Sequence, residues 1–168
     1  MLKKIKKFIV VAATAAILFT GFATIAPKEA SAHWADDAAT WVFRKGYAQT
    51  DLRNSPAIRQ DTWVMLSRLK GYWVKSPEEA RATLMRLGVS DGSRPTSPIT
   101  RYEMVGMLYT DHFQVPSWSP NGGFSNAIAW GESNGIFTDT RGNEVATRGE
   151  VFVMLYNYTK RYSYIERG

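Results

Sequence analysis

A nine-residue segment occurs three times in this chain and constrains its fold more than any other feature. The three copies are Ile58 to Leu66, Thr100 to Leu108 and Thr147 to Leu155. In each copy an arginine follows a glycine by the same distance, from 46 to 59, from 88 to 101 and from 135 to 148. Self-similarity at a period of about 20 to 50 residues indicates stacked supersecondary units. The chain is therefore predicted to contain three repeats.

A basic and then apolar segment precedes the repeats. Lysines near the N-terminus are followed by an uncharged run from Phe8 to Ala26 and then by Ala30-Ser31-Ala32. This order is typical of a secretory signal peptide, so we predict residues 1–32 to be removed and the mature chain to begin at His33. An uncleaved anchor is the alternative, since the apolar run is just long enough to span a bilayer.

Most of the net positive charge lies in this predicted leader. The whole chain carries +6, and residues 1–32 contain five lysines and one glutamate, which leaves about +2 for the mature chain. The charge therefore gives no reason to propose nucleic acid as a partner. The chain has no cysteine, which excludes disulfides and suits export by a bacterium with a single membrane. We predict a secreted protein at the cell wall or surface of a Gram-positive bacterium.

The third copy indicates how a helix begins in each repeat. Thr147 is followed three residues later by Glu150, and apolar residues then recur at the spacing of one helical face. Threonine and glutamate in this order form a capping box, in which each side chain accepts a hydrogen bond from the other residue's backbone amide. Thr100 and Glu103 repeat the pattern. The first copy has Ile58 instead of threonine, so its helix start is expected to be weaker by about 1 kcal/mol.

A further helical stretch precedes each repeated glycine. The predicted stretches are 36–45, about 77–87 and 125–134. Ser76-Pro77 and Ser125-Asn126 favour helix starts, and a glycine after a helix can adopt the left-handed conformation that ends it. The loops between the helices are rich in turn-forming residues and span 50–56, 91–98 and 139–145. The predicted fold class is all-α, with three helix–loop–helix repeats at about 33–72, 73–115 and 116–161.

Several short motifs recur in register with these units. They are His33-Trp34-Ala35 before Ala38-Ala39, Ala127-Ile128, Gly135-Ile136, Asp91-Gly92, Thr100-Arg101-Tyr102-Glu103 and Thr147-Arg148-Gly149-Glu150. Together they resemble tandem S-layer homology repeats of bacterial surface proteins over nearly all of residues 33–160. The first unit lacks the motif threonine, the second lacks a clear His-Trp-Ala opening, and the loops diverge.

The resemblance implies a fold and a function. Three such repeats form a pseudo-threefold helical bundle, and grooves between the units bind an anionic secondary cell-wall polysaccharide, often one with pyruvylated sugars. The arginines of the Thr-Arg-x-Glu motif face the ligand in that family, which assigns the role to Arg59, Arg101 and Arg148.

The chemistry of these arginines allows two interpretations. A guanidinium at the first position of a helix lies beside free backbone amides and the positive end of the helix dipole, which suits a carboxylate or a phosphate. Teichoic acid is therefore an alternative to a pyruvylated polymer. The other interpretation is structural: the arginines pair with carboxylates of a neighbouring unit, for example Asp36, Asp37, Glu78 or Glu79.

Aromatic and loop residues complete the predicted ligand-binding set. Sugar rings stack on aromatic faces, and Trp34, Trp118 and Trp130 are the candidates, although aromatic residues more often fill cores. Asp91 and Asp139 lie in loops where a carboxylate can accept from a sugar hydroxyl, and Gly92 belongs to the Asp-Gly turn. By contrast, Trp63, Phe152 and the three repeated methionines are predicted to be core residues; these methionines are Met65, Met107 and Met154.

No catalytic or cofactor-binding pattern is found in the sequence. With two histidines and no cysteine, neither a metal site nor a Ser/His/Asp triad can be assembled. Glu103 and Glu150 are better explained as capping residues than as a glycosidase pair. We therefore expect no enzyme activity, no metal and no cofactor. The runner-up function is a small secreted protein-interaction or inhibitor protein on the same scaffold, and a wall hydrolase is a weaker third.

Overall fold

The computed structural model describes residues 33–138 and 141–162, which belong to one compact unit. This part of the chain is all-helical, as predicted. Its only β-structure consists of isolated β-bridges, without a β-strand. The helices are α1 (Asp36–Arg44), α2 (Arg59–Leu69), α3 (Pro77–Arg86), α4 (Arg101–Phe113), α5 (Ser125–Ser133) and α6 (Arg148–Arg161). None of the described helices is both long and apolar enough to cross a bilayer. The predicted signal peptide or anchor and Asp139 lie outside the described residues.

The repeated segments form α2, α4 and α6, and their first turns follow the sequence pattern. Both predicted capping boxes are present, one between Thr100 and Glu103 and one between Thr147 and Glu150. Ile58 precedes α2 and supplies no side-chain cap, as expected. In α2 the acidic side chain of Asp61 therefore takes no part in a capping box and is available for another contact.

Thr147→Ala is expected to lower the free energy of unfolding by about 1 kcal/mol, because the Glu150 amide loses its side-chain acceptor. That hydrogen bond from the Glu150 amide to Thr147 Oγ1 is 3.2 Å long. Urea unfolding followed by circular dichroism measures the change. Thr147→Ser keeps a hydroxyl at the same place and is the matched control. Equal losses for both variants would contradict a capping role.

The helices α1, α3 and α5 all end in the same way. The chain turns at Gly46, Gly88 and Gly135, which have φ values of +74°, +69° and +65°. In each case the glycine amide and the next amide donate back to the last turn, as Gly46 N does to Phe43 O and Tyr47 N does to Val42 O. This pair of bonds is the Schellman motif. Each helix ends one residue before the predicted position, because that residue is the C-cap.

The predicted starts of α3 and α5 are confirmed. Ser76 caps α3 by accepting from the amide of Glu79, and Pro77 is the first helical residue, as expected. The helix α5 begins at Ser125, as predicted. The N-cap is Phe124, which offers no side-chain acceptor.

The helices pack in a cyclic order. Each helix that ends at a repeated glycine packs against the repeated-segment helix of the preceding unit: α3 on α2, α5 on α4 and α1 on α6. The third unit therefore contacts the first, and the two ends of the described chain meet. This closure is what a pseudo-threefold bundle requires.

Backbone hydrogen bonds join the three units around a common centre. Ala57 N donates to Ala146 O, Ala146 N donates to Ile99 O, and Ile99 N donates to Ala57 O, at 2.8 to 2.9 Å. All three residues are fully buried, and each lies two positions before a motif arginine. The residues just before α2, α4 and α6 thus form a closed triangle, which places the starts of these helices side by side.

The core lies between the repeated-segment helices. Met65, Met107 and Met154 are buried, as predicted, and so are Trp63 and Phe152. The guanidinium carbons of Arg59 and Arg148 lie 5.8 and 5.7 Å from the ring centroids of Trp63 and Phe152, one helical turn away. These aromatic side chains are packing residues that also contact the motif arginines.

A polar contact joins the three units at the opposite end of these helices. The carboxylate of Asp111 pairs with the ammonium of Lys70, and it accepts a hydrogen bond of 3.1 Å from the hydroxyl of Tyr158. Lys70 directly follows α2, Asp111 lies in α4 and Tyr158 lies in α6. Asp111 therefore connects to both of the other units.

Candidate binding grooves between the repeats

The motif arginines form ion pairs that run around the ring of units. Arg59 pairs with Glu103 at 2.9 Å, Arg101 pairs with Glu150, and Arg148 pairs with Asp61 at 3.0 Å. Each arginine starts one repeated-segment helix, and each acidic residue lies in the first turn of the next. The side chains of all three arginines are at least nine-tenths buried. The motif arginines therefore join neighbouring repeats.

This pairing corrects the partners named from the sequence. Charge pairs between units are confirmed, but the acceptors are the third residues of the next helix, not Asp36, Asp37, Glu78 or Glu79. In Glu103 and Glu150 one carboxylate oxygen accepts from the capped backbone amide while the other faces the arginine. The acidic residue of the motif thus caps its own helix and pairs with the arginine of the neighbouring unit.

Three grooves lie at these boundaries, and we name each by its motif arginine. The Arg59 groove has a volume of about 580 Å³, the Arg101 groove about 360 Å³ and the Arg148 groove about 260 Å³. In each, the arginine of one unit and the acidic motif residue of the next line the groove together with the segment after the next unit's glycine. The grooves are therefore equivalent in position.

The Arg59 groove contains as many acidic as basic side chains. Arg59 and Arg94 line it together with Asp91 and Glu103. Glu103 accepts from both arginines, and Asp91 Oδ1 lies 3.4 Å from Arg59 Nη2. Hydrogen bonds from Ser93 hold the pKa of Asp91 below its usual value, with smaller contributions from Arg59 and Arg94. The Asp91 carboxylate is therefore charged near neutral pH.

The Arg148 groove is richer in positive charge. Arg68, Lys75 and Arg148 line it, with Asp61 as the acidic side chain. Arg68 donates to three backbone carbonyls, those of Gly46, Tyr47 and Val74. Within the described ranges no carboxylate lies at ion-pair distance from Arg68 or Lys75. This groove therefore carries an excess of cations.

The Arg101 groove is lined by Arg101 and Arg141, and both pair with Glu150. Arg141 also pairs with Glu144 at 3.1 Å. The indole of Trp34 forms part of the wall and is largely exposed. The N-terminal residues of the described chain thus border this groove.

The structure brings most, but not all, of the predicted ligand-binding residues to the grooves. Arg59, Asp91 and Trp118 line one groove, Arg101 and Trp34 line another, and Arg148 lines the third. Gly92 is buried, and a β-carbon there would collide with the side chain of Met85, so its role is close packing at a φ of +67°. Asp139 lies outside the described residues.

Trp130 lies in an aromatic cluster and does not line these three grooves. Its ring stacks on Tyr162 at an interplanar angle of 9° and on His112 at 29°, and its indole nitrogen donates to the Tyr162 hydroxyl. Burial lowers the pKa of His112, an effect that the nearby Asp111 carboxylate partly opposes. The cluster joins α4, α5 and the end of α6, so Trp130 has a packing role in this structure.

Residues absent from the predicted set also line the grooves. Arg68 lies three turns into α2, Lys75 lies just before α3, and Arg94 and Arg141 lie in the loops before α4 and α6. Lys75 lies just before Ser76, the N-cap of α3, in the connection between the first and second units; Trp118 lies in the equivalent connection between the second and third units. Aligning the repeats would have indicated this position, but no sequence signal indicated that Arg68 turns toward a groove.

Metal coordination finds no support in the geometry of the described residues, where no group of three or more histidine, aspartate or glutamate side chains could hold an ion.

Comparison with known proteins found no family model that matches the chain and no curated protein with significant sequence similarity. The grooves and their chemistry therefore carry the functional argument.

Proposed function

We propose that this chain binds an anionic polysaccharide of a bacterial cell wall noncovalently, through the grooves between its repeats. The polymer would carry carboxylate groups, as in pyruvylated sugars, or phosphate groups, as in teichoic acid. The predicted signal peptide would deliver the protein to the wall. No cofactor, metal or catalytic step is part of this proposal.

The observation that carries the proposal is the composition of the three equivalent grooves. Each one places a nearly buried guanidinium at a boundary between units, where a ligand could contact both units at once. Buried cations interact with anions more strongly than exposed ones because water screens them less. Exposed indoles border two of the grooves, those of Trp118 and Trp34. Apolar rings beside cations suit an acidic sugar.

We expect the purified chain from His33 onward to sediment with purified bacterial cell walls. Acid extraction that removes secondary polymers and leaves peptidoglycan intact should abolish the sedimentation, because the anionic groups leave with the polymers. The extracted walls are the matched control. Sedimentation that survives extraction would point to peptidoglycan, and no sedimentation with either preparation would count against wall binding.

Salt gives an independent test of the electrostatic part of the proposal. Raising the salt concentration from about 0.1 M to about 1 M shortens the screening length from about 10 Å to about 3 Å. Bound protein should therefore be released from intact walls as salt rises, and quantifying the supernatant measures this. Retention that does not change with salt would mean that charge contributes little to binding.

A further inference from the structure

The loop after the repeated glycine differs between the units at one place. The third residue after the glycine is Gln49 in the first unit, Asp91 in the second and Thr138 in the third. In the grooves of Arg148 and Arg101 the Nη2 atom donates to a backbone carbonyl, that of Thr50 or Thr138. Among these three residues, only Asp91 of the second unit carries a carboxylate.

Asp91 is held in the Arg59 groove by its own loop. The backbone amide and the hydroxyl of Ser93 donate to its two carboxylate oxygens, at 2.9 and 2.7 Å. Oδ1 also accepts from Arg59 Nη2, while Arg59 Nε donates to Ser93 O and Nη1 faces Glu103. The guanidinium of Arg59 is thus engaged on all three nitrogens. An incoming anion would have to compete with a fixed carboxylate.

The guanidinium in the Arg148 groove is less fully engaged. Nη1 pairs with Asp61 and Nη2 donates to Thr50 O, but Nε has no acceptor among the described residues although the side chain is only 9% exposed, a feature that Arg101 Nε shares. The side chains of Arg68 and Lys75 add two cations that form no ion pair in the described part of the chain. Arg68 also donates to three backbone carbonyls, and the Glu79 carboxylate accepts from the Lys75 backbone amide at 2.7 Å. The carboxylates in the first turn of α3, Glu78 and Glu79, do not line this groove.

We propose that the grooves differ in function: the Arg148 groove binds the carboxylate or phosphate of the ligand, and the Asp91 carboxylate occupies the corresponding place in the Arg59 groove. This inference rests on the proposed function and names the site within it. Arg68 and Lys75 hold the anion together with Arg148. The Arg148 groove, at about 260 Å³, is slightly smaller than typical ligand pockets of about 300 to 1,000 Å³, so it would hold one acidic sugar residue rather than a longer segment.

The experiment is an NMR titration of the ¹⁵N-labelled chain from His33 onward with sodium phosphate, and separately with sodium pyruvate. Sodium chloride at equal ionic strength is the control for screening. Both anions should shift the backbone amides of Ala48, Gln49 and Ser76, which line the Arg148 groove. The amides of Ser90 and Asp91 should shift little. Equal shifts in all three grooves, or no shifts beyond those with chloride, would overturn the inference.

Two substitutions test the residues directly. Lys75→Gln should weaken phosphate binding in the Arg148 groove up to about fivefold, as expected for loss of one exposed charge contact. Lys160→Gln removes a lysine that does not line this groove and should have no effect. Asp91→Asn keeps an acceptor for Ser93 and should create phosphate-dependent shifts in the Arg59 groove. Unchanged binding in Lys75→Gln and no new shifts in Asp91→Asn would contradict the inference.

Wall sedimentation of the same variants separates the two proposals. If the unmodified chain sediments and Lys75→Gln sediments equally well, the groove assignment fails while wall binding stands. If phosphate binds in the Arg148 groove but the chain does not sediment with walls, the anion site is supported and the proposed function fails.

Discussion

Glu150→Ala is expected to lower the free energy of unfolding by about 3 to 5 kcal/mol, the range for breaking a buried ion pair from one side. Glu150 contacts Arg101, Arg141 and the capped amide of Thr147. The side chains of Arg101 and Glu150 are both only 10% exposed. Truncation would therefore leave a buried guanidinium without its carboxylate and a helix without half of its capping box. Urea unfolding followed by circular dichroism measures the loss.

The matched control is Asp61→Ala, which removes the equivalent carboxylate from the first unit. Asp61 is 43% exposed, pairs only with Arg148 among the described arginines and takes no part in a capping box. Its removal leaves Arg148, which is 9% exposed, without its carboxylate, but it breaks no capping box and affects no second arginine, so we expect a smaller loss of about 2 kcal/mol. Equal losses in the two variants would mean that burial and capping do not make the Arg101–Glu150 pair more stabilising than the Arg148–Asp61 pair.

These contacts change how the arginines can be tested. If Arg101 and Arg148 only recognised ligand, alanine at either position would weaken wall retention and leave the melting temperature nearly unchanged. Both side chains instead pair across a unit boundary in a buried setting, so their removal should also loosen the ring. Lys75 is exposed and pairs with no described carboxylate, and it therefore reports on binding with less effect on folding.

Most of the fold could be predicted from the sequence because it depends on local signals. Gly46, Gly88 and Gly135 end helices through the left-handed conformation, and Thr100 and Thr147 begin them through capping boxes. These signals involve residues a few positions apart, so a single sequence contains them. The start of α5 at Ser125 was predicted as well, although its N-cap Phe124 offers no side-chain acceptor.

The contacts between units could not be predicted in the same way. The pairs Arg101 with Glu150 and Arg148 with Asp61 join residues that are 49 and 87 positions apart. The motif's acidic residue was fully explained by its capping role, so its second carboxylate oxygen had no predicted partner. Trp130 illustrates the same limit, since only packing decides whether an indole borders a groove or joins an aromatic cluster.

Asp111→Ala is the second substitution with a large expected effect, about 2 to 4 kcal/mol of unfolding free energy. The Asp111 side chain is 4% exposed and links Lys70 of the first unit to Tyr158 of the third. Removing it takes away the buried carboxylate that pairs with Lys70 and accepts from the Tyr158 hydroxyl. The expected loss is reduced by Lys70, which is 20% exposed and can reach water.

Tyr158→Phe separates the two contacts of Asp111, because it removes the hydroxyl and keeps the ring in the core. We expect it to cost about 1 kcal/mol, as one hydrogen bond does. Calorimetric melting of both single variants and of the double variant measures the coupling. If Asp111 joins the units, the double variant should be less destabilised than the two single losses added together. Strict additivity would mean that Asp111 and Tyr158 act independently, and that the hydrogen bond between them does not help to join the units.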